Sequence, residues 1–257
     1  MRKVVYIAFN KRSVLTARAL QNQLQNDLGD DYEVRIINKK AFKKKPLFLI
    51  RWGNSYIEAP EGCVDINPQQ AVESAADKLK MAQALAEDKD SRFPDVSFDF
   101  NNNDLQRLKQ SSKSNMLFCR NEHDQVRFRS NPIESDKYAL ADVDKAREFR
   151  VHVFNGKTIG VYEKIPMEGA DANIRKNDNC HFTRMDMSDE STRNQLKGVR
   201  PAARSAVSTL NLLYGGVDVL ISNSGEVFVN EVNSAPSLNG PNLERWSEAI
   251  SDYIQKK

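Results

Sequence analysis

The most informative stretch of the sequence is GGVDVLI (residues 215–221), which is followed after a short turn by GEVFVNEVNSAP (residues 225–236). Two runs rich in β-branched residues around a Ser-Asn-Ser-Gly turn predict a β-hairpin. Because successive side chains of a strand point to opposite faces, Glu231 and Asn233 share one face. A turn of two or four residues places Asp218 on that same face, roughly 7–8 Å or less away.

These three side chains carry oxygen atoms above a floor of alternating apolar residues, in which Asn230 is the exception. Carboxylate oxygens are ligands of hard cations, and Mg²⁺ combines one or two carboxylates with water and the phosphate oxygens of a nucleotide. The hairpin therefore predicts a Mg²⁺ site. On these residues alone, the alternative is the solvated outer face of an ordinary hairpin.

Composition and charge exclude several classes of protein. The 257 residues suffice for one large domain or two to three small lobes, and the net charge of +3 does not indicate a nucleic-acid partner. The sequence contains no run of ~18 apolar residues, so no membrane span is predicted, and the N-terminus does not resemble a signal peptide. Cys63, Cys119 and Cys180 lack metal-ligand spacing. We expect reduced core thiols and a cytoplasmic protein.

The N-terminal quarter of the sequence predicts an α/β lobe with a parallel sheet. A buried strand at residues 4–9 is followed by a helix that Ser13 caps, and then by strands at residues 32–37 and 47–50. This strand–helix–strand order is typical of α/β proteins. We expect the lobe to end near Pro68.

The most basic part of the chain lies between the last two of these strands and comprises Lys39–Lys45 with Arg35 and Arg51. As a functional site, it would bind a phosphorylated, carboxylated or nucleic-acid substrate. The alternative is a solvated loop that balances acidic segments elsewhere. Only one aromatic residue, Phe42, lies in the run, so single-stranded nucleic acid is not favoured as its partner.

A second strand pair precedes the hairpin and places charged side chains on one face. Residues 148–154 alternate strictly, with Glu148, Arg150 and His152 on one face and apolar residues on the other. An Asn-Gly turn signal then leads into a return strand that ends at Lys164. Without further information, such a face is expected to be solvent-exposed.

In this order, the segments resemble the ATP-grasp superfamily over nearly the whole chain. The most specific part is Gly216-Val217-Asp218 … Glu231-Val232-Asn233, in which an aspartate lies thirteen residues (231 − 218) before a Glu-x-Asn motif. A helix containing Asp77-Lys78, the strand of residues 148–151 and the polar segment of residues 174–177 complete the set. The chain most resembles the carboxylate–amine ligases that add glutamate to a ribosomal protein, and small bacteriophage ATP-grasp proteins.

The resemblance implies an α/β fold with an N-terminal pre-grasp lobe and two further lobes that hold ATP between them. The implied division is a pre-grasp lobe, a linker helix with the central lobe, and a C-terminal catalytic lobe: residues 1–67, 68–162 and 163–257. The implied cofactors are ATP and two Mg²⁺ ions, with Mn²⁺ as a substitute. The implied metal ligands are Asp218, Glu231 and Asn233.

The resemblance also implies residues that contact the nucleotide and the substrate. The implied nucleotide-binding residues are Lys78 (in preference to Lys80), Arg120, the hinge residues Ala139, Leu140, Ala141, Asp142 and Val143 that follow Tyr138, Asp144, Glu148, Arg150 and Lys164. Asp142 or Asp144 would lie near the ribose. The implied catalytic residues are Arg150, Arg175 and Asn177.

One segment departs from the family's pattern. Members usually have a strand lysine followed by a glycine-rich loop over the triphosphate, whereas here Arg120 is followed by a loop without glycine, Asn121–Gln125. Arg120 can still neutralise phosphate through its bidentate fork. Without glycine, however, the loop brings its N–H groups less close to phosphate. Either another segment shields the site or turnover is weakened.

The implied reaction is the ATP-dependent joining of a carboxylate to an amine through an acyl phosphate, with release of ADP and phosphate. Small molecules or peptides would supply the carboxylate and the amine, and no oligomeric state is indicated. Two alternatives stay open. One is a catalytically weakened module that binds a nucleotide or substrate. The other is a module that binds nucleic acid, or a ligase that modifies it, with docking on Lys39–Lys45.

Overall fold

The computed structural model describes residues 2–39, 41–114, 116–121, 125–170, 179–238 and 240–257. These residues form three β-sheets with seven α-helices packed around them. None of the described helices combines the length and the hydropathy that crossing a bilayer requires. The three cysteines are free thiols, of which Cys119 and Cys180 are buried and Cys63 is partly buried, as the sequence predicts.

The N-terminal lobe is a parallel sheet of four strands, which confirms the sequence prediction. Its elements are β1 (Lys3–Phe9), α1 (Val14–Leu28), β2 (Tyr32–Ile37), β3 (Phe48–Trp52) and β4 (Val64–Ile66), in the strand order β2-β1-β3-β4. The last helix of the chain, α7 (Pro241–Gln255), packs beside α1 in the same core. A short 3-10 turn precedes α1, so Asn10 rather than Ser13 caps the helical segment.

Carboxylates of the same lobe neutralise part of the basic region. Arg51 is fully buried, and its Nε and Nη2 groups lie 2.7–3.0 Å from the Asp65 carboxylate. Lys44 Nζ lies 2.6 Å from Glu33, which also pairs with Arg35. The region therefore offers less free positive charge to an anion than its sequence suggests.

Apolar residues at helical spacing predict a single helix over residues 68–87. This prediction is wrong, because two helices occupy the segment: α2 (Gln69–Ala76) and α3 (Lys78–Glu87). At the break, Asp77 has an extended backbone, and its carboxylate accepts hydrogen bonds from the N–H groups of Leu79 and Lys80. An aspartate at this position stabilises a new helix start more than the continuation of the old helix. The break makes Lys78 the first residue of α3.

A four-stranded antiparallel sheet forms the central lobe. Its elements are β5 (Val96–Ser97), α4 (Asn102–Ser111), β6 (Leu117–Asn121), β7 (Val126–Arg129) and β8 (Asp136–Ala141), in the strand order β5-β8-β6-β7. The polar composition of residues 88–103, rich in Pro, Asp and Asn, predicts a linker or long loop, and this prediction missed β5 and the start of α4. Asn101 caps this helix, which buries only Leu108, so its sequence carries little apolar periodicity.

The third sheet is antiparallel and has five strands. Its strands are β9 (Lys145–Phe154), β10 (Lys157–Pro166), β11 (Cys180–Arg184), β12 (Tyr214–Ser222) and β13 (Val227–Asn233), in the order β11-β10-β9-β12-β13. The predicted hairpin is confirmed as β12–β13. The boundary expected between residues 162 and 163 falls inside β10, which forms a hairpin with β9. We propose that the two lobes divide near residues 142–144 instead.

The two faces of this sheet differ in polarity. Apolar side chains of β9, β12 and β13 pack against α2, α3 and α6 (Val199–Thr209). Apolar spacing predicts one helix over residues 191–213, which Pro201 kinks or divides. The segment instead forms two helices, α5 (Glu190–Gln195) and α6. The break is at Gly198, whose φ of 92° favours glycine, and not at Pro201, which lies in the first turn of α6 where proline is tolerated.

Candidate active site

One residue from each strand of the five-stranded sheet contributes to a row across its polar face. The strand register pairs Arg184 with Tyr162, Tyr162 with Arg150, Arg150 with Asp218, and Asp218 with Glu231. Directly opposed residues of antiparallel strands point to the same face of a sheet. The row therefore runs from two carboxylates, through Arg150, to a second arginine on the edge strand.

A β-bulge gives the hairpin a polar side chain that simple alternation does not predict. Asp218 pairs with Glu231, whereas the next residue, Val219, pairs with Val229, so Asn230 is the extra residue. Because a bulge interrupts the period of two, Asn230 and Glu231 both line the cleft above the sheet. The bulge explains why Asn230 is polar in a position where its neighbours are apolar.

Glycine at position 216 lets the loop after β13 cross the hairpin. Gly216 pairs with Asn233, and a Cβ atom at position 216 would lie 2.7 Å from the Cβ of Pro236. The Cδ atom of Arg150 is 3.4 Å from the same point. A side chain at position 216 would therefore clash with Pro236, so this path of the loop requires glycine at position 216.

Three cations engage Asp218, which belongs to the row, and Glu148, which lies beside it. Arg150 pairs with Asp218 through two N–H groups: Nε contacts Oδ1, and Nη2 lies 3.1 Å from Oδ2. Lys164 contacts Glu148 and lies 3.3 Å from Asp218 Oδ2, while Lys145 Nζ lies 2.8 Å from the other oxygen of Glu148. Buried charges require such partners. With three cations to two carboxylates, the cluster favours an anionic ligand.

The same contacts set the charge of the central groups. Burial raises the pKa of the Asp218 carboxyl, but the charges of Arg150 and Lys164 outweigh burial and hold that pKa below its ordinary value. Burial lowers the pKa of the Lys164 ammonium group, but Asp218 and Glu148 more than offset this effect and raise the pKa. Asp218 is therefore anionic at neutral pH and offers charged oxygens to a metal ion.

Lys78 reaches the same cluster from the start of α3. Its Nζ lies 2.7 Å from Glu231 Oε1, whereas Lys80 is more exposed, with its Nζ 3.9 Å from Glu73. The cap by Asp77 fixes where α3 begins and thus where Lys78 stands. The structure brings Lys78, and not Lys80, to the predicted metal ligands.

A cavity of about 700 Å³ lies between the five-stranded sheet and the central sheet. The central sheet lines it with Arg120 and with the apolar residues Phe118, Phe128 and Leu140. The rings of Phe118 and Phe128 lie with their centroids 5.0 Å apart. The cavity thus joins an apolar wall to the charged cluster, and its size suits a bound small molecule.

Comparisons with known proteins give matches in structure only, since no family model and no curated protein matches the sequence. The ATP-grasp ligase PsnB, complexed with its minimal precursor, matches with a TM-score of 0.68 at 12% identity, over 100% of this chain and 99% of that chain. The D-alanine–D-alanine ligase of Bacillus anthracis matches over the same shares with a TM-score of 0.67 at 16% identity. This chain has the ATP-grasp fold.

A third structure agrees with this assignment. The macrocyclase MdnC of Microcystis aeruginosa MRC, bound with the precursor peptide MdnA, matches over 100% of both chains with a TM-score of 0.63 at 11% identity. The ATP-grasp fold that the sequence motifs predict is therefore confirmed. At identities this low, the likeness concerns the fold alone.

Most residues predicted for the ATP-grasp cleft do lie together. Those that line the 700 Å³ cavity are Arg120, Leu140, Ala141, Asp142, Val143, Glu148, Arg150, Lys164, Asp218, Glu231 and Asn233. Ala139 does not, because it is fully buried in the core of the central sheet. Asp144 pairs with Lys113 and does not line the cavity. Arg175 and Asn177 lie outside the described residues.

The sequence predictions missed several residues of the ATP-grasp cleft, of which Lys145, Asn230, Phe118 and Phe128 are the most prominent. The period-two pattern of β6 indicates that Phe118 shares a face with Arg120, so this aromatic residue was detectable. The opposing Phe128 follows from the β6–β7 register. Lys145 has no comparable signal, because its role depends on a contact with Glu148.

Proposed function

We propose that this protein is an ATP-dependent ligase that joins a carboxylate to an amine. The observation that carries the proposal is the polar row of the ATP-grasp sheet, in which Asp218 and Glu231 adjoin Arg150. Oxygens for a divalent cation and a cation for phosphate stand side by side, as phosphoryl transfer requires. Structures of PsnB with Mg and ADP, and with AMPPNP, support ATP and Mg²⁺ as ligands here.

Asp218, Glu231 and Asn233 would hold the metal. Two carboxylates and an amide oxygen are the ligand types that Mg²⁺ prefers, and Mn²⁺ accepts the same oxygens. In the part of the chain that the structure describes, no group of three His, Cys, Asp or Glu side chains forms a rival site. Two ions, when bound, would neutralise charge on the β- and γ-phosphates.

The rest of the cavity suits the nucleotide. Arg120, Lys145, Arg150 and Lys164 line it and would offset the charge of the triphosphate. The base would lie against the apolar wall of the central sheet, which Phe118, Phe128 and Leu140 form. The carbonyl groups of residues 142–144 already accept hydrogen bonds within the protein. This arrangement separates the apolar base from the charged phosphates along one cavity.

The proposed reaction has two steps. An oxygen of the substrate carboxylate attacks the γ-phosphorus, and the bond to ADP breaks to leave an acyl phosphate. The nitrogen of the amine then attacks the acyl carbon, phosphate departs, and an amide bond remains. Arg150 would offset charge on the reacting phosphoryl group, while the predicted roles of Arg175 and Asn177 stay predictions.

Small molecules or peptides would supply the two substrates. PsnB is found with a minimal precursor and MdnC with a precursor peptide, whereas the Bacillus anthracis enzyme is named for joining D-alanine to D-alanine. The reaction proposed for this chain requires only a carboxylate that is activated for attack by a nucleophile. We therefore extend the proposal to both sizes of substrate.

Incubation with Mg²⁺-ATP and pools of carboxylates and amines should release ADP and a product whose mass equals both substrates minus water. Asp218→Asn removes a charged metal ligand, so we expect ADP release to fall by about 100-fold or more. Asp252→Asn, at an exposed position on α7, is the matched control. Unchanged ADP release by the Asp218→Asn variant would show that the metal assignment is wrong.

A second candidate function is nucleotide binding without turnover. The observation that favours it is the absence of glycine from residues 121–125, where a loop would cover the phosphates. This alternative predicts that calorimetry detects binding of Mg²⁺-ATP while no pool of substrates yields ADP. Formation of a condensed product would exclude it.

A further inference from the structure

A second cavity, of about 500 Å³, adjoins the first at Arg150, which lines both cavities. It lies between strands β9–β11 and the start of α7, and we call it the distal cavity. Its cationic and hydrogen-bonding lining includes Arg150, His152, Tyr162, His181, Arg184 and Arg245. Among its lining residues in the described part of the chain there is no Asp or Glu. Such a lining favours an anionic ligand.

Two arginines of the distal cavity lack a carboxylate partner among the described residues. Arg245 Nη1 donates to the Tyr162 hydroxyl and to a main-chain carbonyl of α7, each at 3.1 Å, and neither Arg184 nor Arg245 forms an ion pair there. Arg147, on the same strand as Arg150, contrasts with them, because it pairs with both oxygens of Glu163 at 2.7–2.8 Å. The guanidinium groups of Arg184 and Arg245 are therefore available to an anion, whereas that of Arg150 already pairs with Asp218.

His152 adds a neutral hydrogen-bond donor. It is almost completely buried, and Trp246 donates its Nε1–H group to His152 Nδ1 at 2.8 Å. Burial, and then the charge of Arg150, lowers the pKa of His152 to about 3, so the ring is neutral at physiological pH. With Nδ1 accepting, the proton resides on Nε2. The imidazole therefore has a donor, and no free acceptor, for a ligand in the cavity.

The first turn of α7 forms one wall of the distal cavity through Pro241 and Asn242. This helix has 15 residues, and no side chain of the described residues caps its N-terminus. Pro241 has no N–H group, and the Leu243 N–H group donates to the Gly240 carbonyl at 3.0 Å, so this wall acts through the helix dipole, which favours negative charge there. The wall thus reinforces the preference that the arginines and His152 establish.

We propose that the distal cavity binds the carboxylate substrate and selects a substrate that carries a second anionic group. This inference rests on the proposed ligase function. The reactive carboxylate would lie near Arg150 and His152, at the junction with the first cavity, and the second anionic group near Arg184 and Arg245. Arg150 and Arg184 stand two strands apart, roughly 10 Å between main chains. Two arginine side chains and a short dicarboxylate can span that distance.

Calorimetry on the full chain, in the presence of Mg²⁺ and AMPPNP, tests this selection. Succinate, glutarate and adipate are titrated against butanoate, pentanoate and hexanoate, which match them in length. Short peptides with two glutamates or two glutamines form a second arm, which separates a peptide substrate from a free acid. At least one dianionic probe should bind about tenfold more tightly than its counterpart, because a hydrogen bond to a charged group contributes about that factor.

Arg184→Gln and Arg245→Gln should each abolish most of this preference. Neither residue lines the first cavity, so binding of AMPPNP should persist. Arg18→Gln, at an exposed position on α1, is the matched control and should keep the preference. Thermal unfolding of each variant checks that it folds.

The possible failures of the two proposals differ. If no dianionic probe binds more tightly than its singly charged counterpart, or if the preference survives both arginine substitutions, the selection of a second anionic group is wrong. If the wild-type protein does not bind AMPPNP, the proposed ligase function is wrong. Measuring AMPPNP binding first therefore separates the two results.

Discussion

Arg150 connects the two cavities because it lies between Asp218 and Glu231, the proposed metal ligands, and the arginines of the distal cavity. It is buried, and its guanidinium is held against Asp218 by two hydrogen bonds. Removing one partner of such a pair leaves a buried charge uncompensated, at a cost of about 3–5 kcal/mol. A loss of activity in an Arg150 variant would therefore combine the effect of a less stable fold with the effect of a lost contact to the reacting groups. The neighbouring His152 gives a cleaner measurement.

His152 should make the stability of the protein depend on pH. Its pKa of about 3 lies below the ordinary value of 6.5, so below pH 6.5 the unfolded chain binds a proton that the folded chain does not. Its contribution is complete above about pH 6.5 and is lost as the pH falls, at up to ~1.4 kcal/mol per pH unit. Urea unfolding between pH 4.5 and 6.5 measures this slope.

The control compares variants by the slope of their free energy of unfolding against pH, and not by their absolute stability. His152→Gln removes the titrating ring and should flatten the slope, while His181→Gln, at an exposed position, should keep it. Asp218, whose pKa is also lowered, acts mainly below its ordinary value of 3.8, outside the chosen window. An unchanged slope in the His152→Gln variant would contradict the conclusion that buried His152 stays neutral in the folded protein.

Helix α3 links a local capping signal to the proposed nucleotide site. Asp77→Ala removes the cap of α3, so the free energy of unfolding should fall by about 1 kcal/mol. Because Lys78 is the first residue of this helix, the affinity for AMPPNP should fall as well. Asp77→Asn keeps a capping side chain and should restore both quantities. Urea unfolding measures the first quantity and calorimetry the second. A loss of stability without any loss of affinity would show that the start of α3 does not determine the binding of AMPPNP.

The strands of the site were more predictable than the helices around it. The β12–β13 hairpin follows from two runs rich in β-branched residues and a turn signal, and Asp218 and Glu231 could be placed on one face. The breaks at Asp77 and Gly198 were missed because apolar spacing continues across them and the capping contacts are local. The bulge at Asn230 was missed because a register shift depends on the partner strand. Edge strand β11 was missed because four of its five residues are exposed.

The charged groups in and beside the cleft come from parts of the chain that are far apart in sequence. Lys78 comes from the helix that follows the N-terminal lobe, Arg120 from the central sheet, and Asp218 from the five-stranded sheet. Helix α7 then returns to the core of the N-terminal lobe and supplies Arg245 to the distal cavity. A bound nucleotide would thus connect the central sheet to the five-stranded sheet.

Metal and nucleotide should consequently bind cooperatively. Arg150 and Lys164 engage Asp218, and Lys78 engages Glu231, so a metal ion at these oxygens competes with the protein's own cations. Nucleotide phosphates give those cations another partner and leave the carboxylates to the metal. We expect Mn²⁺, followed by electron paramagnetic resonance as a substitute for Mg²⁺, to bind at least about tenfold more tightly with AMPPNP than alone.

Lys78→Met tests this competition directly. Without the ammonium group, Glu231 loses its competing partner, so Mn²⁺ alone should bind more tightly, while the phosphates lose a contact and AMPPNP should bind more weakly. Lys80→Met changes a neighbouring lysine that does not contact Glu231, and both affinities should stay at the wild-type values. If Lys78→Met weakened the binding of Mn²⁺ alone, Lys78 would be supporting the metal ligands rather than competing for them.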